Sequence, residues 1–276
     1  MMLDREAIRR LVQRALDEDL PDITAQAVFE PADRGKAEFV IKAPGVIAGL
    51  EFAELTFATL DSSARFIAKV EDGATVKPDD TIGEVSASVI ALLSGERTAL
   101  NFMQRASGIA TMTRRFVDAV AGTKAKIYDT RKTAPGLRLL DKYAVAIGGG
   151  ENHRFGLNDM YLIKNNHIDR AGSIKSAMER VRARKSSEKI MVEVRNVAEL
   201  DEALPLGPDY ILLDNMTNDE MRAAVQRAAG KVRLEASGGI TLQNVRAVAE
   251  TGVHRISIGA LTHSAQALDI SMRIKA

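Results

Sequence analysis

From residue 126 to residue 258 the chain repeats one theme: a short β-rich run, a polar residue or glycine at its end, and an amphipathic helical stretch. The runs cover residues 126–129, 160–163, 190–194, 210–213, 232–236 and 255–258. They recur roughly every 20 to 30 residues, the repeat of a βα unit in an α/β barrel. Helix starts are marked by Asn196 with Glu199, by Thr217 with Glu220, and by Thr241. The first two pairs carry the acceptor and reciprocal carboxylate of a capping box. An open doubly wound sheet is the competing arrangement. Polar residues at the carboxyl end of nearly every strand favour the barrel, because a central site fed by many strands needs them.

The first hundred residues read as a small α+β unit. Leu3, Ile8, Leu11, Val12 and Leu16 have helical spacing, and Pro21 stops the helix. Residues 37–42, 45–49, 64–70 and 81–87 are strand-like, with turn chemistry at Asp72-Gly73 and Pro78-Asp79-Asp80. A long helical period returns over 88–120, with a break expected at Ser107-Gly108. A chain of 276 residues, 46% of them hydrophobic, accommodates two modest domains. The expected fold class is α/β: a C-terminal α/β barrel, complete or with fewer than eight strands, preceded by an N-terminal α+β sandwich-like domain. The expected division is 1–107, joined by a last helix over 265–276, and 108–264 for the barrel.

Charge and composition narrow the function classes. Lys plus Arg total 38 against 37 for Asp plus Glu, so nothing suggests a polyanion wrapped over the surface. Cysteine is absent, which removes disulfides, thiolate metal sites and cysteine nucleophiles and fits a reducing compartment. The start does not read as a signal peptide, and no run is long and apolar enough for a membrane span. The spacing of His153, His167, His254 and His263 offers no zinc pair. A cytoplasmic enzyme without nucleic-acid or membrane partners is expected.

Read at the strand ends, the chemistry gathers on one rim: Arg131 and Lys132, Lys164, Glu193, Asp214, Glu235 with Ser237-Gly238-Gly239, and Gly259. Converging cations imply an anionic ligand. The Ser237-Gly238-Gly239 turn, opening a helix at Thr241, offers backbone N–H groups to a phosphate, and Gly259 can add another. Glu193 and Asp214 suit a hard divalent cation such as Mg²⁺, or else balance Lys164 and Lys132. Lys164 is alternatively a Schiff-base lysine. Arg97, Asn101 and Arg105 form a polar stripe on one helix, and sequence physics leaves Arg97 unassigned. Gly148-Gly149-Gly150 reads as a flexible lead into His153 and Arg154, while His167 and His254 read as structural.

Together these residues resemble the quinolinate phosphoribosyltransferases, the decarboxylating nicotinate-nucleotide pyrophosphorylases. The motifs run nearly end to end: Glu96-Arg97-Thr98, Ser107-Gly108-Ile109-Ala110-Thr111, Asp129-Thr130-Arg131-Lys132-Thr133 and Lys142-Tyr143-Ala144-Val145. They continue through Asn152-His153-Arg154, Leu162-Ile163-Lys164, Val192-Glu193-Val194, Leu213-Asp214-Asn215 and Glu235-Ala236-Ser237-Gly238-Gly239-Ile240. The resemblance implies a pentosyltransferase of de novo NAD biosynthesis. It would join quinolinate to phosphoribosyl pyrophosphate, yielding nicotinate mononucleotide, pyrophosphate and CO₂. It implies that Arg97, Arg131, His153, Arg154 and Lys164 hold the two ring carboxylates and that Lys132 and Lys164 face the phosphates. Glu193 and Asp214 would serve the ribose hydroxyls and metal. Ser237, Gly238, Gly239 and Gly259 would take the terminal phosphate, aided by His263, with Thr130, Ile258 and Ala260 completing the substrate-binding set. Lys132, Lys164, Glu193 and Asp214 form the implied catalytic set. Mg²⁺ accompanies phosphoribosyl pyrophosphate, with no organic cofactor, and Arg97 crosses to the neighbouring site of a homodimer. One departure stands out: Asn165 follows Lys164 where an acidic residue is expected. The alternative is a nicotinate-type or molybdenum-locus-related phosphoribosyltransferase paralogue.

Overall fold

The structure, a computed structural model, describes residues 4–275, so Leu3 lies outside the described residues. In chain order the elements begin with α1 (Arg5–Leu16), α2 (Ile23–Val28), β1 (Arg34–Ile41), β2 (Gly45–Val46), α3 (Leu50–Leu60), β3 (Arg65–Ala68), β4 (Thr75–Val76), β5 (Thr81–Ser88) and α4 (Val89–Ala119). There follow β6 (Lys126–Tyr128), α5 (Arg138–Ile147), β7 (Tyr161–Ile163), α6 (Asn165–Ala171), α7 (Ile174–Arg182), β8 (Ile190–Val194) and α8 (Val197–Ala203). The chain ends with β9 (Tyr210–Asp214), α9 (Asn218–Ala228), β10 (Arg233–Ser237), α10 (Val245–Ala249), β11 (Arg255–Ser257), α11 (Ala260–His263) and β12 (Ile270–Lys275). Two compact units result. The first holds the described residues up to Arg114, Ala134–Gly149, and the segment from Thr262 onward; the second holds Arg115–Thr133 and Gly150–Leu261.

In the first unit, α1 starts at Asp4, whose carboxylate accepts the Glu6 N–H at 3.0 Å. Ile8, Val12 and Leu16 then recur every fourth residue and are buried. A four-stranded antiparallel sheet, in the order β12-β1-β5-β3, carries the core. Phe39 is fully buried there, its ring 6.1 Å from Phe57 and 5.8 Å from Phe66.

Four expectations change in this unit. The last element is the strand β12, pairing Ile41 with Ile270 and Lys36 with Lys275, rather than a helix over 265–276. Ile270 and Met272 alternate with Ser271 and Arg273, and that period of two buries one face against the core. Helix α4 also continues through Ser107-Gly108 without a break. A Cβ on Gly108 would lie 2.1 Å from the Gln266 carbonyl oxygen, and the Ser107 hydroxyl accepts the Ala48 N–H at 3.0 Å. These small residues therefore admit a close backbone neighbour. Third, residues 134–149 group with the first unit and not with the barrel. Arg105 grips the fully buried Asp141 with Nε and Nη2, both at 2.8 Å. Gly148 is no flexible lead, because an added Cβ would meet the Ala110 carbonyl oxygen and Thr113 Cβ at 2.6 Å.

All six strands expected in the second half form, and they make one parallel sheet in the order β6-β11-β10-β9-β8-β7. Strands β7 to β11 follow one another in chain order, and β6 lies beside β11. An open doubly wound sheet reverses direction in its middle; this order instead runs around a ring left open between its first two strands. Glu151 adds a single parallel bridge to Tyr128 on the outer side of β6. The second unit is thus an incomplete α/β barrel.

Candidate functional site

In a parallel sheet of this kind every strand delivers its carboxyl end to the same side. Strand pairing aligns Asp214, Ser237, Ser257 and Tyr128 across the last rung of β9, β10, β11 and β6. Two residues earlier, and so on the same face, the aligned residues are Glu193, Leu212, Glu235, Arg255 and Lys126. This face also carries the apolar cluster of Met160, Met191, Tyr210 and Leu212. Apolar residues thus floor the site, and charge begins one pleat above them.

Lys164 follows β7, and its Nζ lies 3.9 Å from Glu193 Oε2. Asn165, where an acidic residue was expected, turns its backbone N–H toward Glu193 Oε1 at 3.4 Å. Glu193 is only 9% exposed, whereas Asp214 is half-buried at the end of β9. Asn215 Nδ2 donates to Asp214 Oδ2 at 3.0 Å. Among the described residues no group of three or more His, Asp or Glu side chains could hold a metal ion. A cation shared by Glu193 and Asp214 would therefore need substrate oxygens or water to complete its shell, a habit of Mg²⁺.

The loop after β6 supplies the arginines and lysine. The Thr130 hydroxyl accepts the Lys132 N–H at 3.0 Å, turning the chain just beyond the strand. The fully buried Asp129 accepts the His153 N–H and the Asn152 side-chain N–H, both at 2.7 Å. This clamp sets residues 152–154 beside the 129–132 loop. Arg131 and Arg154 become neighbours: burial holds the Arg154 guanidinium below the usual arginine range, Arg131 pushes the same way, and Asp159 opposes them. The buried Nε of Arg131 has no hydrogen-bond partner among the described residues. Two guanidiniums that repel one another, one of them with a buried unpartnered Nε, favour an anion beside them.

Beyond β10 the backbone is shaped for glycine. Gly238 has φ 95° and Gly239 φ 61°, and a Cβ on Gly238 would lie 2.1 Å from Asn215 Oδ1. The expected helix at Thr241 begins only at Val245. Asn244 explains the delay: its side chain donates to the Gly239 carbonyl at 2.9 Å and accepts the Thr241 N–H at 2.8 Å, holding a turn ahead of the helix. Since α10 has five residues, its dipole is small, and anion affinity here falls to the backbone N–H groups of the turn. Ile258 is buried and donates its N–H to the Tyr128 carbonyl at 2.9 Å, placing Gly259 and Ala260 at the end of β11.

Thr130, Arg131, Lys132, His153, Arg154, Lys164, Glu193, Asp214, Ser237, Gly238, Gly239, Ile258, Gly259 and Ala260 all belong to the second unit. Arg97, exposed on α4, and His263 belong to the first. His167 and His254 take structural positions, His167 Nδ1 accepting the Lys164 N–H at 2.9 Å and His254 Nδ1 the Leu234 N–H at 3.2 Å. Sequence reasoning passed over Arg255. This 8% exposed cation contacts Glu235, and the one signal for it was a charged residue opening a short β-rich run.

Known proteins align with this arrangement. The family described as "Quinolinate phosphoribosyl transferase, C-terminal domain" matches residues 109–273, and its N-terminal counterpart matches residues 22–107. The chain is 46% identical to the nicotinate-nucleotide pyrophosphorylase [carboxylating] of Mycobacterium leprae, covering 97% of each chain. It is 43% identical to the probable nicotinate-nucleotide pyrophosphorylase [carboxylating] of Bacillus subtilis, over 97% of this chain and 93% of that one. NadC from Streptococcus pyogenes superposes with a TM-score of 0.95 at 38% identity, over 100% of this chain and 99% of the other.

Proposed function

The chain belongs to the quinolinate phosphoribosyltransferase family, and from that premise we propose that it joins quinolinate to phosphoribosyl pyrophosphate in NAD biosynthesis. The products are nicotinate mononucleotide, pyrophosphate and CO₂. The observation that carries the reading is the pair of arginines that feel each other's charge, Arg131 with its buried Nε unpartnered and Arg154 clamped through Asp129, with Lys164 ending the next strand. A ligand with one ring carboxylate would leave part of that charge unmatched; adjacent carboxylates of a pyridine ring match it with paired N–H donors.

The step needs positioning more than a strong base. Arg131, Arg154 and Lys164 hold the dicarboxylate against a second anion, offsetting a Coulomb repulsion that would otherwise keep the reactants apart. Lys132 faces the pyrophosphate as it gains charge on leaving. The Gly238-Gly239 turn, with Ser237 and Gly259, receives the terminal phosphate, which fixes the distance of the anomeric carbon from the ring nitrogen. Glu193 and Asp214 serve the ribose hydroxyls and stabilise positive charge developing on the sugar. A divalent cation held by the same two carboxylates would supply charge neutralisation for the pyrophosphate. Once glycosylated, the ring nitrogen is cationic and stabilises the electron pair left on the adjacent ring carbon as CO₂ departs, and that carbon then takes a proton from water. Arg97 is proposed to act in the neighbouring site of a homodimer, and His263 to assist at the terminal phosphate.

The test is turnover of purified protein with phosphoribosyl pyrophosphate and Mg²⁺, offered quinolinate or nicotinate. One CO₂ released per nicotinate mononucleotide formed from quinolinate supports the reading. Turnover of nicotinate alone contradicts it.

A further inference from the structure

A deeply buried pair of charges of the second unit lies below the rim. Glu235 on β10 has no exposed surface, and its neighbour across the strand pairing, Arg255 on β11, is 8% exposed. Removing such a pair from water costs several kcal/mol per ion, roughly, before their attraction is counted. Arg255 Nε lies 2.8 Å from Glu235 Oε2, and its guanidinium stands 3.9 Å from the centre of the Tyr128 ring and 4.6 Å from that of Tyr210. A cation held against two ring faces has little freedom to swing toward the rim. Arg255 therefore pins Glu235 from one side.

On the other side Glu235 Oε1 faces His153 Nε2 at 3.4 Å. Neither carboxylate oxygen meets the alignment of a hydrogen bond, so Arg255 holds Glu235 by a charge contact and His153 faces it through a ring nitrogen. The second imidazole nitrogen, Nδ1, accepts the Arg154 backbone N–H at 2.8 Å. A ring nitrogen that accepts an N–H offers a lone pair, which leaves the proton on Nε2. The opposite arrangement would point a bare Nε2 lone pair at a carboxylate and an N–H at an N–H.

We propose that Glu235 is a positioning residue for the arginine pair: by selecting the Nε2–H form of His153 it presents Nδ1 to the Arg154 amide and seats Arg154 beside Arg131. The inference rests on reading that pair as the seat of the quinolinate carboxylates. Asp129 clamps the same segment through the His153 N–H, and Arg154 Nη1 donates to the Met160 carbonyl at 3.0 Å. The backbone and the tip of Arg154 are thus both fixed, and the imidazole holds the point between the Asp129 clamp and the guanidinium. Removing the outer partners that orient a metal-ligating histidine typically costs about 10- to 100-fold, and a loss of that order is expected here.

Nitrogen-15 NMR of the His153 ring in the unaltered protein reads the proposed state directly. A proton on Nε2 with Nδ1 accepting is expected, and a proton on Nδ1 overturns the proposal. A second arm combines Glu235→Leu with Arg255→Leu, which removes both charges together and leaves no buried ion unpaired. The expected result is a quinolinate KM raised about 10- to 100-fold, with the KM for phosphoribosyl pyrophosphate within about twofold of the original. An unmoved quinolinate KM, or equal loss for both substrates, overturns it. Should this variant not fold, the ring signal of the unaltered protein decides alone. Absence of quinolinate turnover in the unaltered protein sinks the functional reading, whereas turnover with the wrong ring form sinks only this inference.

Discussion

The two sheets solve opposite problems. In the antiparallel sheet of the first unit, Phe39, Ile41, Ile82, Val85, Ile270 and Met272 share one apolar core, and charge stays on the opposite face, as in the contacts of Lys275 with Glu38 and Glu84. In the parallel sheet of the second, the row containing Leu212 also holds Glu193, Glu235 and Arg255, each under one-tenth exposed. Apolar burial favours folding by about 25 cal/mol per Å². Buried charge opposes folding unless it is well paired. The first sheet therefore holds its residues for stability. The second gives up stability to keep charge in fixed positions, and a fixed, ligand-facing charge pattern is what an anion-transferring site requires.

Substitutions can break or sharpen that contrast. Phe39→Ala should cost about 3–5 kcal/mol of unfolding free energy, because it opens a cavity in a close-packed core. Denaturant unfolding measures this, and the folded fraction should keep its substrate KM values. Arg131→Lys should do the reverse: charge is retained and the paired N–H geometry lost, so quinolinate turnover should fall by about 10² or more. Its melting temperature should stay close to that of the unaltered protein; unchanged turnover would remove Arg131 from the site. Gly238→Ala touches both sides of the comparison. A φ of 95° and the 2.1 Å approach of Asn215 Oδ1 make the new methyl group cost about 1–3 kcal/mol, and phosphoribosyl pyrophosphate binding should weaken in parallel. Calorimetric titration with that ligand checks the coupling. Smallest is Thr217→Ala, about 1 kcal/mol, since it removes one half of the capping box with Glu220 without reaching the rim. Thermal unfolding should register it while turnover stays the same.

Much of the second sheet was legible because each strand is a short apolar run closed by a residue with its own chemistry. Asp214, the Ser237-Gly238-Gly239 turn and Lys164 stand where strand ends put them. The capping pair at Thr217 and Glu220 formed as read, whereas Glu199 reaches back past Asn196 to the Arg195 N–H at 2.7 Å and to its guanidinium. Local pattern failed where a distant partner decides the outcome. Ser107-Gly108 looks like a helix break until Gln266 is seen against it, and Arg105 looks solvated until Asp141 is found 36 residues away. The 270–275 segment alternates clearly, yet its strand state depends on β1, more than 200 residues earlier in the chain. Glu235, read as a rim residue, is instead fully buried, and Arg255 was passed over, for a related reason: burial and ring stacking are properties of the assembled row, absent from either strand alone.

The central claim is that the rim after β6 and β7 is built for two adjacent carboxylates. Equilibrium binding of quinolinate and of nicotinate to the same protein, followed by calorimetry, tests it most directly. The account predicts quinolinate binding at least about tenfold tighter, since a second charge-assisted contact contributes about 1.5 kcal/mol or more. Equal affinity for the two ligands would contradict it.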